Sequence, residues 1–288
     1  MHYQKVKGLL SKDNGMNIYR GCTHGCIYCD SRSKCYNMDH DFEDILVKEN
    51  ALELLEKELS SKRKRCMVSF GAMSDPYLHH EKKLLYTRRA LEIINKYKCG
   101  VSIQTKSDLI LRDLDLLKEI NTHSKCIVNI TLTTYDEDLC KILEPNVCSS
   151  KRRYEVLKIL DDNNIKTIVW LDPFLPFIND NKENIIGLLD YIVKSHVFGV
   201  ICFNIGLTLR EGNREYYYEK LDKYFKDLKN KYIKKYAYSY EVVSDNNAYL
   251  LNLIKEICQK NNIIYDIDYL FKYMHEYKSM DSTQLTLF

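Results

Sequence analysis

The chain has 288 residues, of which 45% are hydrophobic, and it carries 43 Lys and Arg against 40 Asp and Glu. This hydrophobic fraction excludes a disordered chain, and no apolar run reaches the roughly 18 residues that a membrane span requires. The net charge of +3 is too small to indicate nucleic-acid binding by itself.

The hydrophobic pattern alternates along the chain between short strands and amphipathic helices. Strands are predicted within residues 16–19, 66–71, 101–105, 126–133, 167–171 and 200–207. Helices are predicted between them, within residues 50–61, 86–97, 109–120, 149–163 and 184–194. Because a helix separates each strand from the next, the strands are expected to pair in parallel through right-handed crossovers. The pattern therefore predicts an α/β fold in which the loops after the strands build the functional site, as in parallel barrels.

The alternation weakens in the C-terminal part, where two further helices are predicted within residues 215–231 and 248–261. Residues 1–210 are therefore expected to form the core of the fold. Residues 211–278 are expected to form an extension of mixed helices and short strands packed on that core. Residues 279–288 are expected to be a polar linker and tail.

Tyrosine is abundant, at 23 residues, and the C-terminal third of the chain interleaves it with lysine. Rings beside cations suit a groove for nucleic acid, since bases stack on the rings. A compositional bias towards Lys, Asn, Ile and Tyr would produce the same pattern. DNA is therefore a candidate partner.

The cysteines indicate the chemistry of the protein more specifically. The chain has 11 of them, and its first 20 residues contain no apolar signal segment, so we expect a cytoplasmic protein with free thiols. Cys22, Cys26 and Cys29 follow the first predicted strand with C-x3-C-x2-C spacing, between glycines. Three thiolates on a tight loop form a soft site for an iron–sulfur cluster or for zinc. A four-iron cluster would keep one iron free for a further ligand, whereas zinc would take a fourth protein donor, nominally His24 or Cys35.

The cysteine motif, with Tyr28 directly before its last cysteine, resembles the signature of radical S-adenosylmethionine (SAM) enzymes. The resemblance implies a partial (β/α)6 barrel and a [4Fe–4S] cluster on Cys22, Cys26 and Cys29. It also implies that SAM binds the open iron and is cleaved to a 5′-deoxyadenosyl radical, with electrons from a flavodoxin- or ferredoxin-type donor. The chain is thus expected to be a radical SAM enzyme.

Further segments resemble the spore photoproduct lyase-related subgroup of this family. They follow one another in the order of the subgroup, within residues 71–77, 104–107, 129–134, 143–145 and 173–180. The resemblance implies that Tyr28 lies near the adenine of SAM and Ser74 near its amino group. It also implies that Lys106 pairs with the SAM carboxylate and that Thr131 reaches the ribose. From the residues alone, Ser74 could cap a turn, Lys106 could face solvent, and Thr131 could be an ordinary strand residue, but their shared location at strand ends favours the functional interpretation.

One position departs from the subgroup pattern. Spore photoproduct lyase carries a hydrogen-donating cysteine where this chain has Ala72, so the substrate is expected to differ. Cys35 is a speculative replacement donor, and an ordinary buried thiol is the alternative. The leading prediction is lyase-like radical chemistry on a damaged or modified base in DNA. Two alternatives stay open: a radical SAM enzyme acting on a peptide or small metabolite, and a non-enzymatic zinc or iron–sulfur protein that binds nucleic acid.

The C-terminal residues form a second short motif. This motif resembles the peptide by which bacterial DNA polymerases and repair proteins bind the sliding clamp. Its residues are Gln284, Leu285, Leu287 and Phe288. Leucine and phenylalanine side chains on an extended tether can fill adjacent apolar pockets, while glutamine adds a polar contact. Clamp binding would place the enzyme on DNA. The alternative is a terminal strand that packs on the chain's own core.

Overall fold

The structure, a computed structural model, describes residues 1–279. Its strands are β1 (His2–Gln4), β2 (Gly15–Met16), β3 (Tyr19–Arg20), β4 (Leu46–Lys48), β5 (Met67–Phe70), β6 (Gly100–Thr105), β7 (Cys126–Thr131), β8 (Lys166–Trp170), β9 (Gly199–Ile201), β10 (Gly206–Thr208) and β11 (Glu241–Val243). Its α-helices are α1 (Ala51–Ser60), α2 (Glu81–Leu84), α3 (Tyr86–Lys96), α4 (Leu114–His123), α5 (Glu137–Leu143), α6 (Ser150–Asp162), α7 (Lys182–Lys194), α8 (Asn213–Tyr224), α9 (Leu228–Tyr236), α10 (Asn247–Lys260) and α11 (Ile267–His275). None of the helices within residues 1–279 has the length and apolar character needed to cross a membrane.

Six strands form the central sheet, in the order β2-β5-β6-β7-β8-β9, and every neighbouring pair is parallel. Helices α1, α3, α4, α6 and α7 lie between consecutive strands and provide the crossovers that parallel pairing requires. The end strands β2 and β9 do not pair with each other within the described residues, so the barrel stays open on one side. The predicted α/β fold, a partial (β/α)6 barrel, is confirmed.

The interior of the barrel has an apolar part and a polar part. Met67, Ile127 and Ile168 pack with Leu270 and Met274 of α11, which contacts both β5 and β9. Beyond this layer, polar side chains line a cavity of about 270 Å³, among them Asn17, Ser102, Gln104 and Asn129. The polar part is the one that meets the loops of the functional site, because Gln104 also lines the cavities described below.

The structure departs from the sequence predictions in its smaller sheets. β1, β4 and β3 form an unpredicted sheet in which β1 is parallel and β3 antiparallel to β4. The predicted strand over residues 200–207 ends at Ile201, and its remainder, β10, pairs antiparallel with β11. The predicted helix over residues 215–231 is divided into α8 and α9, because Asp227 adopts a left-handed backbone conformation with a φ of 61°.

Candidate functional site

The three motif cysteines lie on the loop that begins where β3 ends. Gly21 has a φ of 86°, and a Cβ there would lie 2.5 Å from the Phe42 carbonyl oxygen, so glycine is required. That carbonyl oxygen accepts the Cys22 N–H at 2.9 Å, and the Leu143 carbonyl oxygen accepts the Ile27 N–H at 3.0 Å. The loop is therefore fixed by main-chain hydrogen bonds to two distant segments.

Burial strongly affects the three thiols. It raises the pKa of Cys22 to about 12, with neighbouring Cys29 adding to the shift, and it also raises the pKa of Cys26 and of Cys29. Because metal ligation needs thiolates, three negative sulfur atoms in this buried loop require a cationic group to stabilise them. An iron–sulfur cluster supplies that charge. The donor set, three soft thiolates on one glycine-framed loop, fits such a cluster.

The sulfur atoms do not form a ready-made tetrahedral site for a single zinc ion. Tetrahedral zinc holds its sulfur ligands at about 2.3 Å, hence roughly 3.8 Å from one another. Within residues 1–279, the three Sγ atoms are not all within 4.8 Å of one another, and neither His24 nor Cys35 completes such a group. His24 instead faces Asp75, with its Nδ1 3.5 Å from the carboxylate. A cluster binds each cysteine through a different iron atom and so does not require the three sulfur atoms to lie this close together.

A buried charge network joins the cysteine loop to the segment that follows β7. The Tyr28 hydroxyl donates to Glu144, and Glu144 forms an ion pair with Arg153 of α6, both side chains being buried. Burial acts to raise the pKa of Glu144, but the charges of Arg153 and Lys106 outweigh it and lower that pKa. Arg153 also donates to the Thr131 carbonyl oxygen at 2.8 Å, at the end of β7. The network therefore fixes Tyr28 relative to the C-terminal end of the barrel sheet.

The Asp75 side chain connects the loop after β5 with the end of β6. Its carboxylate accepts hydrogen bonds from the Thr105 hydroxyl at 2.7 Å and from the Lys106 N–H at 2.8 Å. It also accepts the Tyr77 N–H at 2.8 Å, within its own loop. Burial lowers the pKa of the adjacent His24, which favours the neutral imidazole. Asp75 therefore ties the loop after β5 to the end of β6.

Most of the predicted site residues line one small cavity of about 110 Å³, which we call the cofactor cavity. Its lining includes Cys22, Cys26, Cys29, Ser74, Lys106 and Thr131. Thr131 Oγ1 is buried and has no hydrogen-bond partner within the described residues, so it is available to a ligand hydroxyl. The Ser74 hydroxyl donates to the Gly21 carbonyl oxygen at 2.6 Å, which leaves its lone pairs for a donor such as an ammonium group.

Lys106 is the cation of the cofactor cavity. Burial acts to lower its pKa, but the charges of Cys26 and Glu144 outweigh burial and raise that pKa. Its Nζ lies 5.9 Å from the centre of the Tyr28 ring. Tyr28 lies outside the lining of the cofactor cavity and lines a larger adjoining cavity of about 560 Å³. A charged amine is therefore held where a carboxylate ligand would pair with it.

Comparison with known proteins identifies the family. Residues 16–192 match the model of the radical SAM superfamily. The chain belongs to this superfamily. An uncharacterised protein of Methanocaldococcus jannaschii is 31% identical over 250 residues, which cover 84% of this chain and 85% of that protein. An uncharacterised protein of Acidianus two-tailed virus is 28% identical over 252 residues, which cover 77% of this chain and 81% of that protein.

Solved structures of spore photoproduct lyase have the same fold as this radical SAM protein. One with dinucleoside spore photoproduct matches with a TM-score of 0.64 at 14% identity, over 90% of this chain and 78% of the lyase chain. Another, with bound AdoMet and dinucleoside spore photoproduct, gives a TM-score of 0.59 at 15% identity, over 86% of this chain and 73% of that chain. The predicted likeness to spore photoproduct lyase is confirmed at the level of the fold.

The protein is a radical SAM enzyme, with a [4Fe–4S] cluster and S-adenosylmethionine as its cofactors. When bound, these cofactors supply a 5′-deoxyadenosyl radical that removes a hydrogen atom from the substrate. The three motif cysteines are the residues that would hold the cluster, and the polar side chains of the cofactor cavity would orient SAM. The alternative of a non-enzymatic zinc or iron–sulfur protein is therefore set aside.

The larger cavity of this radical SAM enzyme was not assigned from the sequence. Trp170 and Asp172 line it, together with Phe203 and Tyr240, whose side chains remain 48% and 46% exposed. Burial raises the pKa of Asp172 to about 7, against the opposing charge of Lys106. Trp170 Nε1 has no hydrogen-bond partner within residues 1–279. Position along the chain could have indicated Trp170 and Asp172 as site residues, since Trp170 ends β8 and Asp172 follows it.

Ala72 stands where the cavities meet. Ala72 and Gln104 line the cofactor cavity, the larger cavity and the interior cavity of the barrel. Position 72, at which the sequence was expected to depart from the subgroup pattern, therefore presents only a methyl group to the shared space.

Cys35 lies away from this meeting point. Its thiol is exposed, and Arg210 Nη1 donates to its Sγ at 3.2 Å. It lines neither the cofactor cavity nor the larger cavity. The structure thus does not bring Cys35 to the predicted site residues, and the expectation of an ordinary buried thiol is wrong because the side chain faces solvent.

Proposed function

We propose that the enzyme acts on DNA, where it performs lyase-like radical chemistry on a damaged or modified base. The observation that carries this proposal is the larger cavity, which adjoins the cofactor cavity and shares Ala72, Gln104 and Lys106 with it. A base that entered the larger cavity would border the cofactor cavity directly.

The aromatic side chains of the larger cavity support a flat, stacking substrate. Phe203 and Tyr240 both line the cavity and remain about half exposed, so they form its rim. The Trp170 ring lies 6.0 Å from the Phe203 ring, centre to centre. Enzymes that act on a base take it out of the helical stack and hold it against aromatic side chains. These rings offer that contact.

The polar groups of the same cavity suit the edge of a base. Trp170 lines both this cavity and the interior cavity, and its buried Nε1–H lacks an acceptor within the described residues. Asp172, with a pKa of about 7, exchanges its proton near neutral pH and so offers both a donor and an acceptor. The Asn204 amide adds a further donor and acceptor. Base edges carry this mixture of groups, and the cavity therefore favours a nucleobase over an aliphatic metabolite.

The comparison with spore photoproduct lyase gives a second, weaker support. Structures of that lyase hold a dinucleoside photoproduct, and the two proteins share a fold. Ala72 lacks the thiol that would return a hydrogen atom to a product radical at this position. We therefore propose a substrate other than spore photoproduct, or a different final step.

The stacking role of Phe203 can be tested with the cluster-loaded holoenzyme and a fluorescent single-stranded oligonucleotide. Phe203→Ala is expected to weaken binding about tenfold, since one base loses its stacking partner. Tyr249→Ala removes an aromatic side chain of similar exposure on α10 and is expected to leave binding unchanged. Equal binding by both variants and the wild type would remove the larger cavity as the base site. Failure of the wild type to bind would favour a peptide or small-metabolite substrate.

We also propose two protein partners and a cytoplasmic location. A flavodoxin or ferredoxin would supply the electron that radical SAM chemistry needs, and free thiols beside a cluster suit a reducing compartment. The sliding clamp would bind the tail residues Gln284, Leu285, Leu287 and Phe288, which lie outside the described residues. Deleting residues 284–288 is expected to abolish co-elution with the clamp and to leave SAM cleavage intact. Loss of SAM cleavage on deletion would instead indicate a tail that packs on the core.

A further inference from the structure

A further cavity, of about 270 Å³, lies beside β3 and β4, and we call it the β3–β4 cavity. It shares Ser31, Met73 and Ser74 with the cofactor cavity, and Ser31 also lines the larger cavity. Its lining contains two cations, Arg20 and Lys48, and no carboxylate from residues 1–279. A cavity lined by two cations therefore adjoins both the cofactor cavity and the larger cavity.

The strand pairing places both cations on one face of the small sheet. Arg20 of β3 lies opposite Leu46 of β4, and Lys48 is two residues further along β4, so its side chain points to the same face. Arg20 Nη2 donates to the carbonyl oxygens of Tyr36 and Asn37, each at 2.6 Å. These neutral acceptors position the guanidinium without cancelling its charge.

Lys48 has no counter-ion within the described residues. Burial lowers its pKa, the nearby Arg20 charge lowers it further, and no acidic group acts in the opposite direction. Partly buried cations are unfavourable unless they are paired. Lys48 and Arg20 therefore point to an anionic ligand that the protein binds here.

The carboxylates that contact residues of the cavity wall are hydrogen-bonded or paired with other groups. The Tyr36 hydroxyl donates to Asp30 at 2.8 Å. The Tyr19 hydroxyl donates to Glu81, and Glu81 pairs with Arg112. Both carboxylates are thus held by other groups, and neither belongs to the lining of the β3–β4 cavity. The positive charge of Lys48 and Arg20 is therefore left for an external anion.

We propose that the β3–β4 cavity binds a phosphate group of the DNA substrate, with Lys48 and Arg20 as its cationic contacts. This inference rests on the proposed function, because the phosphate belongs to the strand whose base enters the larger cavity. Ser31 borders both cavities, so base and phosphate of one short segment can occupy them together. Lysine and arginine are the usual cationic partners of DNA phosphates, and hydroxyl groups such as that of Ser31 often join them.

The carboxylate of SAM is the competing anion. Lys106 already supplies a cation within the cofactor cavity, and Ser74, the predicted contact of the SAM amino group, lies on the boundary between the two cavities. An ammonium group at Ser74 would be repelled by Lys48 and Arg20 unless an anion lay between them. A phosphate in the β3–β4 cavity would supply that anion.

The test compares Lys48→Gln with Lys5→Gln in the cluster-loaded holoenzyme. Lys5 is an exposed lysine directly after Gln4, which pairs with Lys48 in the small sheet, so the control removes the same charge nearby. Binding of a fluorescent single-stranded oligothymidylate is measured by anisotropy at several salt concentrations. Lys48→Gln is expected to weaken binding about tenfold and to lower the slope of log K against log salt by about 0.7. Lys5→Gln is expected to stay within about twofold of the wild type.

The other readouts separate the outcomes. SAM affinity, measured by equilibrium dialysis without DNA, is expected to be unchanged or higher in Lys48→Gln, because one cation that would repel the SAM ammonium group is removed. Weaker SAM binding would assign the cavity to the SAM carboxylate and overturn the phosphate subsite. The melting temperature of Lys48→Gln is expected to equal or exceed that of the wild type, and a marked fall would also count against the subsite. Normal oligonucleotide binding by Lys48→Gln overturns the subsite and leaves the proposed function standing. Absence of binding by the wild type overturns both.

Discussion

The Tyr28 hydroxyl donates a hydrogen bond to Glu144, which lies 116 positions further along the chain. Glu144 pairs with Arg153, and Arg153 donates to the carbonyl oxygen of Thr131. Tyr28 lies between two of the motif cysteines, and the Thr131 hydroxyl lines the cofactor cavity. One buried charge pair therefore sets the position of the motif-cysteine loop relative to the end of β7, which lines the same cavity.

The Glu144–Arg153 pair is expected to be important for stability. Glu144→Gln leaves the buried Arg153 guanidinium without an anionic partner, and losing one member of such a pair lowers the free energy of unfolding by about 3–5 kcal/mol. Urea denaturation measures this change. Glu211→Gln, which breaks an exposed ion pair with Lys34, is the control and is expected to have little effect. If both variants unfold at the wild-type urea concentration, the buried pair does not fix the loop.

Substitution of a motif cysteine is expected to remove the cluster, whereas substitution of the exposed Cys35 is expected to leave it in place. Cys26→Ala removes one cluster ligand, so anaerobic reconstitution should give a protein with much less iron and no 5′-deoxyadenosine formation from SAM. Circular dichroism should show that the fold is retained. Cys35→Ala is the matched control and should keep the wild-type iron content, because its thiol lies outside the cofactor cavity. Wild-type iron content in Cys26→Ala would contradict the ligand assignment.

Substitution of Thr131 is expected to lower SAM affinity without lowering the stability of the ligand-free protein. Its Oγ1 has no hydrogen-bond partner within residues 1–279, so Thr131→Val should leave the stability of the ligand-free protein unchanged or slightly higher. SAM affinity should fall about fivefold, since one hydrogen bond to the ribose is lost. Thr131→Ser keeps the hydroxyl and should bind SAM like the wild type. Equal SAM affinity in all three proteins would exclude Thr131 as a SAM contact.

Asp172 is expected to give the stability a characteristic pH dependence. Burial raises its folded-state pKa to about 7, whereas the unfolded chain releases this proton near pH 3.9, roughly the ordinary value for Asp. The stability that this proton contributes is complete below the lower pKa and is lost as the pH rises through the higher one. Asp172→Asn removes the titration, so its stability relative to the wild type should be greater at about pH 8 than at about pH 5.

Urea unfolding at both pH values measures this difference. Asp138→Asn is the control, because Lys141 lowers the pKa of Asp138 and its titration is complete below this pH range. Its stability relative to the wild type should be the same at both pH values. A pH-independent difference for Asp172→Asn as well would show that Asp172 is ionised in the folded protein throughout.

The barrel could be predicted because its strands and helices carry their own hydrophobic patterns. Gly100–Thr105 and Cys126–Thr131 are long buried runs, and the helices between strands show apolar residues at helical spacing. β1, β3 and β4 have only two or three residues each, too few for a period, and their pairing joins distant segments. Helix α11 was missed, although Ile267, Leu270 and Met274 have the spacing of one helix face.

Residue type and spacing pointed to part of the candidate site. The cysteine spacing indicated a metal-binding loop, and the resemblance to the subgroup pointed to Lys106 and Thr131, which the structure brings to the cavity lined by the three cysteines. The network of Glu144 and Arg153 depends on tertiary contacts, and nothing local shows which of the chain's 40 acidic residues is buried against an arginine. Glu144 and Asp75 did stand in segments that resembled the subgroup, which is the signal that could have pointed to them.

The most direct test of the DNA proposal follows deuterium from the substrate. Cluster-loaded enzyme, SAM and a reductant are incubated with damaged DNA that is deuterated on its bases and sugars, and 5′-deoxyadenosine is examined by mass spectrometry. The proposal predicts that DNA stimulates 5′-deoxyadenosine formation and that the product carries deuterium, with neither effect in Cys26→Ala. Unlabelled 5′-deoxyadenosine, formed at the same rate with and without DNA, would contradict it.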